Sequence, residues 1–210
     1  MGKLALKQIE NNDGSISNLL EPPFKKIKLT GRNLILSSIQ ESHITSQYLG
    51  WLINDEVNEF LEVRKYPQSF ESIKSYINHL RKKSECDLLV ILSKDGYRHI
   101  GNVSITEMSE STGRATYGIM VGERSDPLSN IAGGESTLLI IDYFFSHQFI
   151  EEIKEGAHSD NVRARALLTK IGFLPLTEVP DNDGITRFAL TRATWERNYN
   201  KFSPLYKSFI

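Results

Sequence analysis

Apolar positions fall in short blocks along the chain, and their spacing predicts strands alternating with helices. Gly31, Arg32 and Asn33 read as a turn into a first strand at Leu34, Ile35 and Leu36. Ser42 is placed to cap a helix that runs through Trp51 and Leu52. Residues 54–64 are polar and acidic with apolar residues interleaved. Ser69 caps the next helix, where Phe70, Ile73, Ile77 and Leu80 recur at helical spacing. Residues 88–93, 99–106 and 115–121 read as an antiparallel meander, turned at Asp95-Gly96 and again at 109–113. A polar loop, then Gly133 and Gly134, lead into an almost wholly apolar helical run from Leu138 to Phe145. A strand at 153–157 comes next. Asp160 or Asn161 then caps a helix that Gly172 closes in the left-handed C′ position. Residues 173–179 and 185–191 flank Asp181-Asn182-Asp183-Gly184 as a hairpin. The order β-α-α-β-β-β-α-β-α-β-β predicts a mixed α/β sheet. Three parts are expected: an extension over 1–30, a domain over 31–197 and a tail over 198–210 that packs back through its aromatic residues.

The centre of this layout is the passage from the strand at 115–121 into the helix behind Gly133 and Gly134. The first N–H groups of a helix have no partner inside it and carry the positive end of its dipole. A phosphate there needs no basic side chain, and the two glycines would let it approach the backbone. The competing reading is a plain loop-to-helix junction with glycines for packing.

Composition narrows the choices. A chain of 210 residues can bury one substantial core. Its formal net charge of -1 points to neither a nucleic-acid nor a membrane surface. Cys86 is the single cysteine, so an internal disulfide and a four-cysteine zinc site are excluded. The five histidines lack metal-ligand spacing, and no metal is assigned. There is no apolar run of spanning length and no secretory layout at the start, so a soluble cytoplasmic protein is expected.

Two motifs carry a family resemblance. Ala132-Gly133-Gly134-Glu135 opens one helix; Asn161, Ala164, Leu167, Leu168, Lys170, Gly172 and Phe173 pattern the other. In this order and spacing they resemble the GCN5-related N-acetyltransferases (GNAT), over roughly residues 31–197. Trp51 to Asn58, Phe60 to Arg64, Ile100-Gly101-Asn102 and Tyr117 to Gly122 are similar to the RimJ/RimL-like branch. Within it the chain looks most like acetyltransferases of amino sugars for surface polysaccharides; the branch also holds enzymes acting on protein N-termini.

The resemblance implies a mostly antiparallel sheet flanked by helices, with central strands splayed around acetyl-CoA. It implies acetyl transfer to a primary amine of a small, nucleotide-linked amino sugar. A protein N-terminus and a non-catalytic coenzyme-binding module are the alternatives, and a homodimer is allowed. It places the cosubstrate on the backbone of Ile119, Met120 and Val121, on Ser129, Asn130, Ile131, Ala132, Gly133 and Gly134, and on Asn161. A backbone N–H near Ile119 or Met120 would hold the oxyanion. His158 is the first candidate base and Glu107 the second. Glu62 and Arg64 would line the acceptor pocket. Two positions depart from the pattern: Ile131 stands where a glycine is usual, and Leu168 where many members carry a tyrosine that protonates the departing thiolate.

Overall fold

The computed structural model describes residues 27–83, 86–177 and 179–207. Eight strands form one sheet in the order β1-β2-β3-β4-β5-β6-β8-β7. They are β1 (Lys28–Thr30), β2 (Leu34–Ser38), β3 (Asp87–Ser93), β4 (His99–Ser109), β5 (Arg114–Val121), β6 (Glu152–His158), β7 (Leu174–Pro175) and β8 (Ile185–Thr191). The helices are α1 (Ser46–Ile53), α2 (Asp55–Asn58), α3 (Phe70–Arg81), α4 (Ser129–Ser146), α5 (Val162–Ile171) and α6 (Arg192–Tyr206). This is the mixed α/β sheet that the pattern of blocks predicts, and it is mostly antiparallel, as the resemblance implies.

Each face of the sheet carries its own core. On the front, Trp51, Leu52, Ile73, Ile77 and Leu80 of α1 and α3 pack on Leu88 and Val90 of β3. On the back, α4, α5 and α6 cover Ala115, Tyr117, Ile153 and Leu190. Ile140, Ile141 and Phe144 of α4 have no exposed surface. Burying each such side chain stabilises the fold by about 1.5–3 kcal/mol, which is why α4 is apolar nearly all round. Its C-terminal carbonyls receive a cation, as the helix dipole favours. Arg192 donates to the carbonyls of Phe145 at 2.9 Å and His147 at 2.8 Å.

Four expectations change, and the acidic segment, which the pattern leaves unassigned, gains a fold. Helix α1 is capped by Thr45, whose hydroxyl accepts the Tyr48 N–H at 3.2 Å; Ser42 lies in a separate 3-10 turn, Glu41–His43. The acidic segment folds as α2 and a 3-10 turn, Glu62–Lys65. A short β1 precedes the first expected strand and pairs with it. The strand expected over 173–179 contracts to Leu174–Pro175, since Pro175 has no N–H for a ladder. The division expected after Arg197 falls inside α6, whose Trp195, Phe202 and Tyr206 are all buried. Most of the expected extension, residues 1–26, lies outside the described residues.

The parallel pair β5–β6 positions the site. Its register covers Arg114↔Glu152, Ala115↔Ile153 and Thr116↔Lys154 only. Beyond that point β5 continues to Val121 and β6 to His158 without pairing to each other. A seam therefore opens between them toward their C-terminal ends, where α4 and α5 begin.

Candidate active site

The seam presents an unpaired backbone edge on each side. On β5 the edge is Ile119, Met120 and Val121. Ile119 and Val121 pack toward the back core, and Met120 toward the front. The free backbone groups of such an edge can pair with an extended amide chain, as a neighbouring strand would.

The mouth of the seam is the N-terminus of α4, which starts earlier than the glycines suggest. Ser129 is its first residue, so Gly133 and Gly134 lie inside the helix and not in the loop before it. The reason is Asp126. Its carboxylate accepts the Leu128 N–H at 2.8 Å, and its carbonyl accepts the Ser129 N–H at 3.0 Å. These bonds start the helical turn from outside, because Leu128 has no capping side chain. The Leu128 carbonyl then takes the N–H groups of Ile131 and Ala132. The Asn130 N–H is left without a protein partner among the described residues. Asp126 is 8% exposed, and its ion pair with Arg98 at 2.8 Å holds its carboxyl below the usual carboxylate range.

Space at this helix end is available. A Cβ on Gly133 would meet only Val121, at 4.0 Å, and one on Gly134 only Leu167, at 3.9 Å. No close protein contact demands glycine there. Ile131 and Gly134 border a cleft with Arg32, Leu167 and Lys170, and Ile131 is exposed. Arg163, in the first turn of α5, donates to the Asn130 side chain at 3.4 Å and so brings a guanidinium to the start of α4. The local sequence Asn161-Val162-Arg163-Ala164-Arg165 carried that signal. The Asn161 side-chain oxygen accepts the Ala164 N–H at 3.1 Å, so it caps α5.

Candidate acid–base groups stand on the front face. His158, at the end of β6, stacks on Phe60 with ring centroids 5.4 Å apart. This contact brings the segment after α2 over the seam. His158 Nδ1 accepts the Asp160 N–H at 3.2 Å, which leaves the proton of the neutral ring on Nε2. Glu107 sits at an irregularity of β4, at φ 55°, where a bulge redirects its side chain. Its carboxylate accepts the Thr116 hydroxyl at 3.0 Å. Arg64 forms a long, exposed ion pair with Asp55, at 4.0 Å. Glu62 opens the same 3-10 turn. Among the described residues no three His, Cys, Asp or Glu side chains converge as metal ligands. Among the described residues no helix is long and apolar enough to cross a membrane.

A splayed parallel strand pair that leads to a helix N-terminus suits an extended amide chain ending in a phosphate. Residues 33–174 match the family model of the Acetyltransferase (GNAT) domain, and the chain belongs to that family. No curated protein matches it by sequence. Solved structures of the same fold include apo FdhC, a nucleotide-linked sugar GNAT. It is 16% identical with a TM-score of 0.66, over 85% of this chain and 97% of that one. RimL, a ribosomal α-N-protein acetyltransferase in complex with coenzyme A, is 14% identical with a TM-score of 0.64, over 76% and 94%. A spermidine N-acetyltransferase from Vibrio cholerae, in complex with CoA and spermine, is 16% identical with a TM-score of 0.66, over 78% and 98%. The protein is thus an acetyl-CoA-dependent N-acetyltransferase. The open space beside Gly133, the free Asn130 N–H and the unpaired edge of β5 are compatible with that cosubstrate. Acetyl-CoA supplies the activated acetyl group.

Proposed function

We propose that the protein acetylates the primary amine of a small, nucleotide-linked amino sugar. In this reading the backbone of Ile119, Met120 and Val121 pairs with the pantetheine arm. An N–H of Ile119 or Met120 holds the oxyanion. The first turns of α4, Ser129 to Gly134, receive the pyrophosphate with Asn130 as the open donor, and Arg163 adds positive charge. Asn161 keeps α5 in place beside the arm. The amine must be neutral to attack, although amines of pKa near ~10 are mostly protonated at pH 7. His158 takes that proton at Nδ1 once the Asp160 N–H lets go. Glu107 on the same face is the second base.

The observation that carries the acceptor class is the Phe60–His158 stack. It sets an aromatic surface beside a turn containing Arg64 and Lys65, the latter 3.7 Å from Asp183. An aromatic face with cations suits a base and a phosphate better than an aliphatic polyamine. FdhC, named as acting in nucleotide-linked sugar chemistry, supports the same class by its fold alone. The RimL likeness supports a protein N-terminus as the second reading.

The test is calorimetry with acetyl-CoA, followed by an amine screen that monitors thiol release. Turnover with nucleotide-linked amino sugars, at kcat/KM at least tenfold above that for spermine or an N-terminal peptide, is expected. Preference for the peptide would replace this reading with the second one.

A further inference from the structure

Two segments far apart in the chain meet over the end of β6. One is the 3-10 turn Glu62–Lys65, with Phe60 just before it. The other is the tight turn at residues 181–184, which leads into β8. Asp181 builds that turn. Its carboxylate accepts the N–H groups of Asp183 at 3.1 Å and Ile185 at 2.8 Å, and its carbonyl accepts the Gly184 N–H at 2.9 Å. The Gly184 carbonyl accepts the Ser159 N–H at 2.8 Å, which ties the turn to the end of β6. His158 touches both segments. Phe60 stacks on its ring, and a Cβ on Gly184 would come within 2.7 Å of its Nε2. Gly184, at φ 76°, is therefore held to glycine by conformation and by space. At the rim of the contact Lys65 Nζ lies 3.7 Å from Asp183 Oδ1.

The two aspartates of the second turn are used differently. The Asp181 carboxylate is engaged within its own turn, with Arg187 a further 3.8 Å away. The Asp183 carboxylate accepts no hydrogen bond among the described residues and reaches outward to Lys65. That pair is 58% and 75% exposed in its side chains, and it is too long for a hydrogen bond. An exposed pair of this kind contributes little to stability, and the stack and the Gly184 contact already join the segments. The ammonium keeps its donors open toward solvent. Arg64, the residue before, faces Asp55 at a similar remove of 4.0 Å. Each cation of the first turn thus has a carboxylate near it without being closed by it. Phosphate oxygens would take such donors at true hydrogen-bond distance and with more charge.

We propose that Lys65 binds the diphosphate of the acceptor by exchange, giving up Asp183 as the nucleotide enters between the two turns. This rests on the reading that the acceptor is nucleotide-linked. Asp183 is then a built-in competitor for the anion seat, and it sets a threshold of charge. An uncharged amine offers Lys65 nothing in place of the carboxylate, whereas a diphosphate brings more charge and more acceptor oxygens than it displaces. Deleting the Lys65 charge destroys the seat; deleting the Asp183 charge clears it. The two changes therefore act on nucleotide binding in opposite directions. A pair that merely fastened the turns together would make both changes act alike.

The probe is uridine diphosphate, titrated by calorimetry into the full chain saturated with coenzyme A, so that the start of α4 is not open to it. Lys65→Met should weaken its binding about tenfold, the loss expected of a charge-assisted contact. Asp183→Asn should tighten it about threefold, the scale of a weak exposed pair. The double variant should match Lys65→Met alone, because without the seat there is nothing to compete for. Raising the salt should shrink the difference between wild type and Asp183→Asn. Weaker binding in both single variants would make the pair a fastener and overturn the proposal, as would binding that neither variant changes. Absence of uridine diphosphate binding by the wild-type protein would instead remove the nucleotide-linked reading, and this proposal with it.

Discussion

Helices α4 and α5 both begin at the mouth of the seam, and they begin in different ways. Helix α5 is closed by its own residues. Asn161 caps its start, and Gly172, at φ 111°, ends it by donating its N–H to Leu168 and Thr169. Helix α4 has no side chain at its N-cap; Asp126, in the loop before it, holds the Leu128 and Ser129 N–H groups and is itself held by Arg98. Each start leaves one N–H without a partner among the described residues, Asn130 in α4 and Arg163 in α5. The difference lies in the surroundings: one turn beyond Asn130 stand two glycines, where a Cβ would meet only Val121 or Leu167. The contrast separates a helix start set by its own residue from one set by a loop, although both contribute to the same seam.

The most severe way to break the contrast is Gly133→Trp. The ring would fill the open space at the start of α4, and acetyl-CoA binding should weaken at least 100-fold by calorimetry. The melting temperature should stay within a few degrees, since a Cβ there would meet only Val121, at 4.0 Å. Asp126→Ala comes next. It removes the outside cap of α4, so stability should fall by about 1–2 kcal/mol in urea unfolding, and acetyl-CoA affinity should drop about tenfold as the loop loosens.

The same carboxyl gives a pH signature. Its folded pKa lies below its unfolded value, so its contribution is fully present above the unfolded value and is lost as pH falls through the folded one. Wild type and Asp126→Asn should therefore differ by a constant amount above about pH 4 and converge in more acidic solution. Asn161→Ala should cost about 1 kcal/mol, the usual worth of such a cap, with affinity for acetyl-CoA changed less than threefold. A collapse of binding would make Asn161 a ligand contact as well as a cap. The smallest effect is expected from Arg163→Ala: a loss of a few-fold in affinity at low salt that fades as salt screens the exposed guanidinium.

The sequence displays the closed helix more openly than the open one. Asn161 and Gly172 obey local rules of capping, and the strands on either side show their apolar blocks. The start of α4 depends instead on Asp126, whose partner Arg98 stands 28 residues away. Nothing local distinguishes that aspartate from a turn residue, so the glycines were read as the end of the loop. Helix α6 was missed because its buried residues, Trp195, Phe202 and Tyr206, are widely spaced among polar ones. His158 and Phe60 lie far apart in the chain, so their stack could be read only from the fold.

Glu135 sets a mechanical limit on all of this. Its buried carboxylate, one turn beyond Ile131, accepts the N–H groups of Asn33 and Leu34 at 2.7 and 3.0 Å and the Asn33 amide at 2.9 Å. Helix α4 is therefore bolted to the hairpin between β1 and β2. Tilting its tip toward an incoming ligand would break three charge-assisted bonds at once. In the proposed reading, the wall that would meet the phosphates thus behaves as a fixed anvil. Any closure around the acceptor has to come from the opposite jaw, the short turns that carry Phe60 and Arg64.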